Sequence, residues 1–234
     1  MSAAVVEAER LVKEGDALQE SLIEGYSCIA GLWKSPERMD RAEVDARFPH
    51  VIVTLSAHVS VAAADSLERF WKALWDISDE EYTGTLELSP SAPPYMGHYN
   101  NEEPSTCMGL GQAPRNQYMI DLVGIYKHWG LAPETKELPD YLPMMVEFLW
   151  LSLRDPPAQA DSGTEPRLRF IGAYLGPSLP TFIETLRRIE SPYLHLALAL
   201  DHMLLAEMPG LEATRLEDSR PPNVVRIDDG GERA

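Results

Sequence analysis

The segment Leu142-Pro-Met-Met-Val-Glu-Phe-Leu-Trp-Leu-Ser-Leu153 decides the fold class of this chain. Its apolar residues recur at helical spacing, and Met144 and Phe148 extend them around almost the whole circumference of the helix. A helix that is apolar on nearly every side is predicted to lie in the middle of a bundle. Asp140 is predicted to cap the N-terminus of this helix, and Pro143 is tolerated in its first turn.

Amphipathic helical patterns occupy most of the chain on both sides of this segment. They cover residues 11–33, 55–77, 118–129, 168–175 and 179–189, and a last long helix begins at Ser191-Pro192. Gly130 is a predicted C-cap, and the spacing of Ser78 and Glu81 predicts a short capped helix. Residues 51–55 could equally form a strand, but no alternating series of strands and no fixed repeat follows. The sequence therefore predicts an all-α, single-domain multi-helix bundle.

The bundle is predicted to span residues 1–218, and residues 219–234 form a flexible tail of acids, proline and glycine. Two long loops are expected inside the bundle, near residues 86–114 and 155–166. A connection as long as the first one usually has a function or is mobile in a compact domain. Such loops would permit domain swapping without requiring it, so the sequence leaves a monomer or a dimer open.

The charge balance excludes several kinds of partner. The chain has 20 Lys and Arg against 37 Asp and Glu, a formal net charge of −17. This charge disfavours nucleic acids and anionic membranes and favours a basic partner. The first residues carry acids where a signal peptide carries bases, and no apolar run reaches the ~20 residues that span a bilayer. With only Cys28 and Cys107, a disulfide scaffold is excluded, and we expect a soluble cytoplasmic protein.

No catalytic motif stands out in the sequence. Nucleotide-binding glycine motifs, a serine-nucleophile motif and a zinc-protease motif are all absent. Among the six histidines, His195 and His202 could share a helical face, but no third ligand has a matching spacing. We therefore expect a protein that is not an enzyme and that has no cofactor and no metal. A helical metal-dependent hydrolase with His and Asp or Glu ligands is the alternative.

Acidic residues are concentrated in two clusters. Residues 76–103 contain seven acids and no Lys or Arg, and the second cluster has Lys136 as its only base. Tyrosines interleave with the first cluster at Tyr82, Tyr95 and Tyr99. The second cluster consists of Glu134, Glu137, Asp140 and Glu147. Carboxylates around apolar side chains suit a peptide that is basic at one end and apolar beyond, whereas a solvated acidic face is the alternative.

Helical spacing would place Glu137, Asp140, Met144 and Glu147 on one face. Glu147 differs from the other acids because it lies within the otherwise apolar segment. An unpaired buried carboxylate is costly, so Glu147 is predicted to have a partner or a raised pKa.

Three segments together resemble the TorD/DmsD/NarJ family of molybdoenzyme assembly chaperones, and most closely its NarJ-like branch. The first is Glu81-Tyr-Thr-Gly-Thr-Leu-Glu-Leu-Ser-Pro90, which continues through Ala92-Pro-Pro-Tyr-Met-Gly-His-Tyr99. The second and most specific is Glu137-Leu-Pro-Asp-Tyr-Leu-Pro-Met-Met-Val-Glu-Phe-Leu149. The third is Ser191-Pro-Tyr193. Two departures are Tyr141, where the family often has His, and Thr85-Leu86, which replaces the usual Leu-Phe.

The resemblance implies an all-helical cytoplasmic chaperone without enzymatic activity. Such proteins bind the N-terminal segment, often a twin-arginine signal, of an apo molybdoenzyme catalytic subunit of the DMSO-reductase class. They assist insertion of the molybdenum cofactor before export or assembly. Carried over by position, the peptide-binding residues would be Tyr82, Tyr95, Tyr99, Glu137, Asp140 and Tyr141. The acidic face adds Met144 and Glu147. A structural subunit that stays in the redox complex is a further alternative.

Overall fold

A computed structural model of the chain describes residues 3–100, 114–132, 137–156, 164–209 and 211. Several residues of the sequence analysis lie outside this part: Glu102, Glu103, Cys107, Glu134, Lys136 and the tail from residue 219. The described residues are mostly helical and form no β-strand, which confirms the all-α class. The limits of the domain and of its tail stay predictions.

Ten α-helices occur in the described part of the chain. They are α1 (Ala3–Ala30), α2 (Arg41–His58), α3 (Val61–Leu74), α4 (Asp79–Tyr82), α5 (Gly97–Asn100), α6 (Pro114–His128), α7 (Leu142–Arg154), α8 (Thr164–Arg169), α9 (Leu179–Arg188) and α10 (Tyr193–Glu207). Short π-helical segments continue α4 over Thr83–Glu87 and α8 over Phe170–Leu175. A 3₁₀ turn forms at Pro36–Arg38.

Two apolar helices organise the core. Helix α10 packs against α3, α9 and α1, and it buries Tyr193, Leu200 and Met203. Helix α7 packs against α1 in the opposite direction. Gln19 Nε2 of α1 donates to the Leu153 carbonyl near the end of α7 at 3.3 Å, whereas residues 27–31 share a groove with Tyr141 at its start. The core is therefore built around two apolar helices that share α1 as a neighbour.

The structure adjusts the predicted helix boundaries. The apolar pattern of residues 55–77 is divided between α2 and α3, because the Ser60 hydroxyl accepts from Ala63 N at 3.3 Å and begins a new helix. Residues 51–55 are helical. Ser78 caps α4 by accepting from Glu81 N at 3.1 Å, and Gly130 has φ of 69° after α6, so both predicted caps are confirmed. Ser191 accepts from Tyr193 N at 3.3 Å at the start of α10.

The described helices include none that is both long enough and apolar enough to cross a bilayer.

A buried ion pair joins four helices. Both Nε and Nη2 of Arg167 donate to the Glu207 carboxylate, at 2.6 and 2.9 Å, and these side chains are only 6% and 11% exposed. The Arg167 Nη1 donates to the Leu149 carbonyl at 2.7 Å and to the Ser152 hydroxyl. Tyr26 OH donates to Glu207 at 2.8 Å. The network fixes α8 and α10 against α1 and α7, because each buried charge keeps hydrogen-bond partners only in this arrangement.

Replacing Arg167 with alanine is expected to lower the free energy of unfolding by about 3–5 kcal/mol, because Glu207 and the Leu149 carbonyl lose their donor while buried. Urea unfolding followed by circular dichroism measures this loss. The matched control is Arg187→Ala, which breaks the exposed pair with Glu184 and should cost at most about 1 kcal/mol. Equal losses in the two variants would contradict the stabilising role of the buried network.

Candidate functional site

The two acidic segments identified in the sequence lie side by side. Tyr95 and Tyr141 form an isolated antiparallel bridge, and the residues flanking them make two backbone hydrogen bonds of 2.9 and 2.7 Å. The phenol rings of the two tyrosines are 5.5 Å apart. Tyr95 OH donates to Glu137 Oε2 at 2.6 Å. The first and second resemblance segments therefore form one continuous surface, which we name the acidic mouth: Glu87, Tyr95, Glu137 and Tyr141.

Acidic side chains surround the two tyrosines of the acidic mouth. Burial and then the Glu137 carboxylate raise the pKa of Tyr95, so its hydroxyl stays a neutral donor. Burial raises the pKa of Tyr141 as well, followed by the charges of Glu137 and Glu87. Glu87 accepts from Tyr82 OH at 2.8 Å and lies 3.5 Å from the exposed Arg38 guanidinium. The mouth is thus a place of negative potential in which a cation would be stabilised.

Asp140 has a different position from the predicted one. Tyr141 precedes the first residue of α7, and the Asp140 carboxylate does not cap that helix, so the predicted N-cap is wrong. Instead, Asp140 is fully buried, and its Oδ2 accepts from Gly97 N at 3.0 Å. Arg115 Nη2 lies 3.7 Å from the same oxygen, whereas Oδ1 is buried without a hydrogen bond among the described residues. The side chain therefore holds the segment after Tyr95 in place.

The approach of Gly97 to Asp140 leaves no space for a side chain. A Cβ atom at position 97 would lie 2.8 Å from Asp140 Oδ2 and 3.2 Å from the Tyr118 ring. Burial raises the pKa of Asp140, while the Gly97 N–H and the Arg115 charge act in the opposite direction.

Tyr82 and Tyr99 support this surface from within. Tyr82 is 2% exposed and its ring lies 6.1 Å from that of Tyr193. Tyr99 OH donates to the Pro93 carbonyl at 2.9 Å, and its ring contacts Phe182 at 5.4 Å. Both side chains use their hydroxyls inside the protein, and a direct role of either in peptide contact stays a prediction.

An open groove of about 760 Å³ begins at Tyr141 and follows α7. Its walls are the end of α1, the end of α6 and one face of α7. The lining residues are Ser27, Ala30, Gly31, Tyr126, Leu131, Ala132, Tyr141, Pro143, Met144, Glu147, Phe148, Trp150 and Leu151. The sequence predicts that α7 lies in the middle of the bundle, but the structure encloses it on one side only. No helix of the described chain covers its second apolar face.

Glu147 is exposed on this second face, so the prediction that its carboxylate is buried is wrong. The side chain makes no hydrogen bond or ion pair with any residue that the structure describes, and it lines the groove between Met144 and Trp150. Among the described residues that line the groove, it is the only charged one, and none is Lys, Arg or His. The groove therefore favours a cation and repels a phosphate group.

The sequence analysis missed the α1 wall and Trp150 as parts of a site. Ser27, Ala30 and Gly31 are small and half-buried or exposed at the end of α1, where a helix packed in a core would present larger apolar side chains. The sequence did contain a signal for this site, namely the surplus of apolar residues on α7. One helix needs only one apolar face to pack against a bundle, so a second apolar face indicates a further binding surface.

A metal centre finds no support in the described part of the chain, where no three His, Cys, Asp or Glu side chains are grouped to hold an ion. His195 and His202 lie on α10, and Nδ1 of each is buried without a hydrogen bond among the described residues. Burial and then the Arg69 charge lower the pKa of His195. The hydrolase alternative is not supported.

Comparison with known proteins places these segments in a family. The sequence model of the family described as nitrate reductase delta subunit matches residues 42–184, more than half of the chain. The probable nitrate reductase molybdenum cofactor assembly chaperone NarJ of Bacillus subtilis (strain 168) is 33% identical over 69 residues. This alignment covers 30% of the chain and 33% of that protein, so the chain spans about a third of the length of the curated relative it matches. Both matches confirm the resemblance to the NarJ-like branch.

Two substitutions at Asp140 should have different effects. Asp140→Ala leaves the Gly97 N–H without its acceptor and is expected to lower the free energy of unfolding at pH 7 by about 1–3 kcal/mol. Asp140→Asn keeps an acceptor oxygen and removes a buried charge, so its stability should at least equal that of the unsubstituted protein. Urea unfolding followed by circular dichroism tests both variants, and equal destabilisation by Asn and Ala would contradict the assignment.

The stability difference between Asp140→Asn and the unsubstituted protein should depend on pH. Because the pKa of Asp140 is raised in the folded state, the folded protein binds this proton more tightly than the unfolded chain does. The contribution of Asp140 to stability is therefore greatest at low pH and declines from about pH 4 upward, through the folded-state pKa. The unfolding free energy of Asp140→Asn relative to the unsubstituted protein should rise over this range, and a parallel pH profile would contradict it.

Proposed function

The chain belongs to the nitrate reductase delta subunit family, and we propose that it is a cytoplasmic assembly chaperone for a molybdoenzyme of the DMSO-reductase class. It binds the N-terminal segment of the apo catalytic subunit, which carries a twin-arginine signal or a related basic sequence. It holds this segment while the molybdenum cofactor is inserted, before export or assembly. It acts by binding and not by catalysis.

The observation that carries this proposal is the open groove with the single unpaired carboxylate of Glu147. Apolar and aromatic side chains surround that carboxylate, among them Met144, Trp150 and Leu151. Apolar ligand groups gain free energy by leaving water, at about 25 cal/mol per Å² of buried surface. A basic side chain in the same ligand removes the cost of shielding Glu147 from water. An apolar segment with at least one Lys or Arg satisfies both requirements.

The acidic mouth extends this complementarity beyond the groove. Tyr141 belongs to both surfaces, and the Glu137 carboxylate lies next to it through the hydrogen bond from Tyr95. Further basic side chains of the ligand would meet this carboxylate. Electrostatic complementarity of this kind accelerates encounter and selects partners more than it adds affinity. It also explains why a strongly acidic protein suits a client whose first residues are basic.

The walls of the groove favour a helical ligand. Helices α1 and α7 satisfy their backbone groups internally and offer no free strand edge, so an extended peptide would bury unpaired N–H and C=O groups. A helical segment pairs its own backbone and places side chains at i, i+3 and i+4 against one face. We therefore expect the bound segment to gain helical structure, which circular dichroism of the peptide with and without the protein can measure.

Glu147→Gln is expected to weaken binding of a short synthetic peptide, with two arginines near its N-terminus and leucines after them, by about 3- to 10-fold. The lost interaction is one charge pair in a partly enclosed groove. Fluorescence anisotropy measures the affinity, and the loss should shrink as salt rises. The matched control is Asp65→Asn, which removes an exposed carboxylate from α3, away from the groove. Equal affinities for the two variants would contradict the groove as the binding site.

In the native host, deletion of the gene is expected to leave a molybdoenzyme that contains its polypeptide but little molybdenum. Affinity purification of the tagged chain should recover the apo catalytic subunit and not the mature enzyme. Metal analysis of the purified enzyme and mass spectrometry of the recovered proteins measure the two results. A fully loaded enzyme in the deletion strain would contradict the proposed role in cofactor insertion.

A further inference from the structure

The two ends of the groove differ in charge. Helices α1 and α7 run antiparallel, since Gln19 lies near Leu153 while residues 27–31 share the groove with Tyr141. The Tyr141 end opens onto the acidic mouth, where Glu137 and Glu87 both act on the Tyr141 hydroxyl. Arg38 neutralises Glu87 only in part, at 3.5 Å between exposed side chains. The carboxylates of Glu137 and Glu87 therefore give this end its acidic character, while Arg47 donates to Ser27 of the α1 wall at 2.9 Å.

The opposite end carries a cation. The Arg154 guanidinium lies over the Trp150 ring at 4.3 Å, and Trp150 forms the last part of the α7 wall together with Leu151. Arg154 also pairs with Asp155 at 2.5 Å, and both side chains are half-exposed or more. Their charges balance, so this end offers a cation of the ligand no net attraction, and the guanidinium opposes a second cation close to the Trp150 ring.

The helix dipoles do not reverse this difference. The N-terminus of α7 brings a positive partial charge to the Tyr141 end, but the C-terminus of α1 brings a negative one to the same place. The last turn of α1 has no basic side chain. Helix α6 also ends here, and its exposed Lys127 and His128 do not line the groove. The partial charges of the antiparallel pair oppose each other, so the side chains decide the polarity.

We propose that the groove also sets the direction of the segment it binds: the basic end lies at Tyr141, and the apolar end lies along Trp150 and Leu151. This inference rests on the proposed function. Glu147, midway along the α7 wall, takes the last basic side chain of the ligand, and the acidic mouth takes those before it. A client segment that is basic first and apolar afterwards then runs parallel to α7, from its N-terminus to its C-terminus.

Photo-cross-linking to the full-length protein tests this direction. Two synthetic peptides have the same sequence, with lysines in the first positions and leucines and alanines after them. One carries a benzophenone amino acid at its first position and the other at its last. Digestion after glutamate cuts the chain at Glu137 and Glu147 and so separates Tyr141 from Trp150. Mass spectrometry then assigns each cross-link to one end of the groove.

The first-position probe is expected to label the Tyr141 fragment with about fivefold excess over the Trp150 fragment, and the last-position probe should show the reverse. Exchanged or equal labelling would overturn the proposed direction while leaving the proposed function intact. A complete lack of saturable labelling, together with no anisotropy change, would overturn the proposed function itself.

A charge-reversal variant tests the cause of the direction. Arg154→Glu places an acid at the Trp150 end, so the fivefold excess should fall towards equal labelling of the two fragments. The matched control Arg187→Glu changes an exposed arginine of α9 by the same charge and should keep the excess. An unchanged excess in Arg154→Glu would contradict the charge difference between the two ends as the cause.

Discussion

One constraint determines the layout of this protein: α7 carries apolar residues on two faces, and the described helices cover one of them. The covered face includes Leu142, Met145 and Leu149, which are fully buried, and α7 packs against α1. The other face remains open as a groove, although leaving apolar surface in water is unfavourable. Since no described helix covers this face, burying it would be favourable. Helix α7 therefore has one face in the core and a second apolar face that no described helix covers.

Polar interactions hold the Tyr141 end of the groove in place. The Tyr95–Tyr141 bridge, the Tyr95–Glu137 hydrogen bond and the Asp140–Gly97 hydrogen bond join two loops that carry few large buried side chains. Hydrogen bonds depend on direction, so they fix positions more sharply than apolar contacts of the same strength. This arrangement has a cost at Asp140. Its carboxylate is buried and Oδ1 has no hydrogen-bond partner among the described residues, so the charged form is disfavoured. These hydrogen bonds keep the carboxylates of Glu137 and Asp140 at fixed places.

Periodicity and capping rules predicted the helical class and most of the helices, since these depend on residues close in sequence. They could not show that the two acidic segments meet, because the Tyr95–Tyr141 bridge joins residues far apart in the chain. They assigned the environments of two carboxylates wrongly. Asp140 looked like a local cap but is buried against Gly97, which is 43 positions away. Glu147 looked buried because its helical neighbours are apolar, yet it faces the groove. A periodic pattern shows which residues share a face and does not show what covers that face.

The close contact between Gly97 and Asp140 also restricts which substitutions this part of the structure can accept. A Cβ atom at position 97 would lie 2.8 Å from the Asp140 carboxylate and 3.2 Å from the Tyr118 ring, so a larger residue there requires its neighbours to move. A smaller residue at position 140 would remove the acceptor of the Gly97 N–H and destabilise the fold. Substitutions at positions 97 and 140 are therefore expected to have coupled effects on stability. The conformation of the segment that follows Tyr95 therefore depends on residues 97 and 140 together.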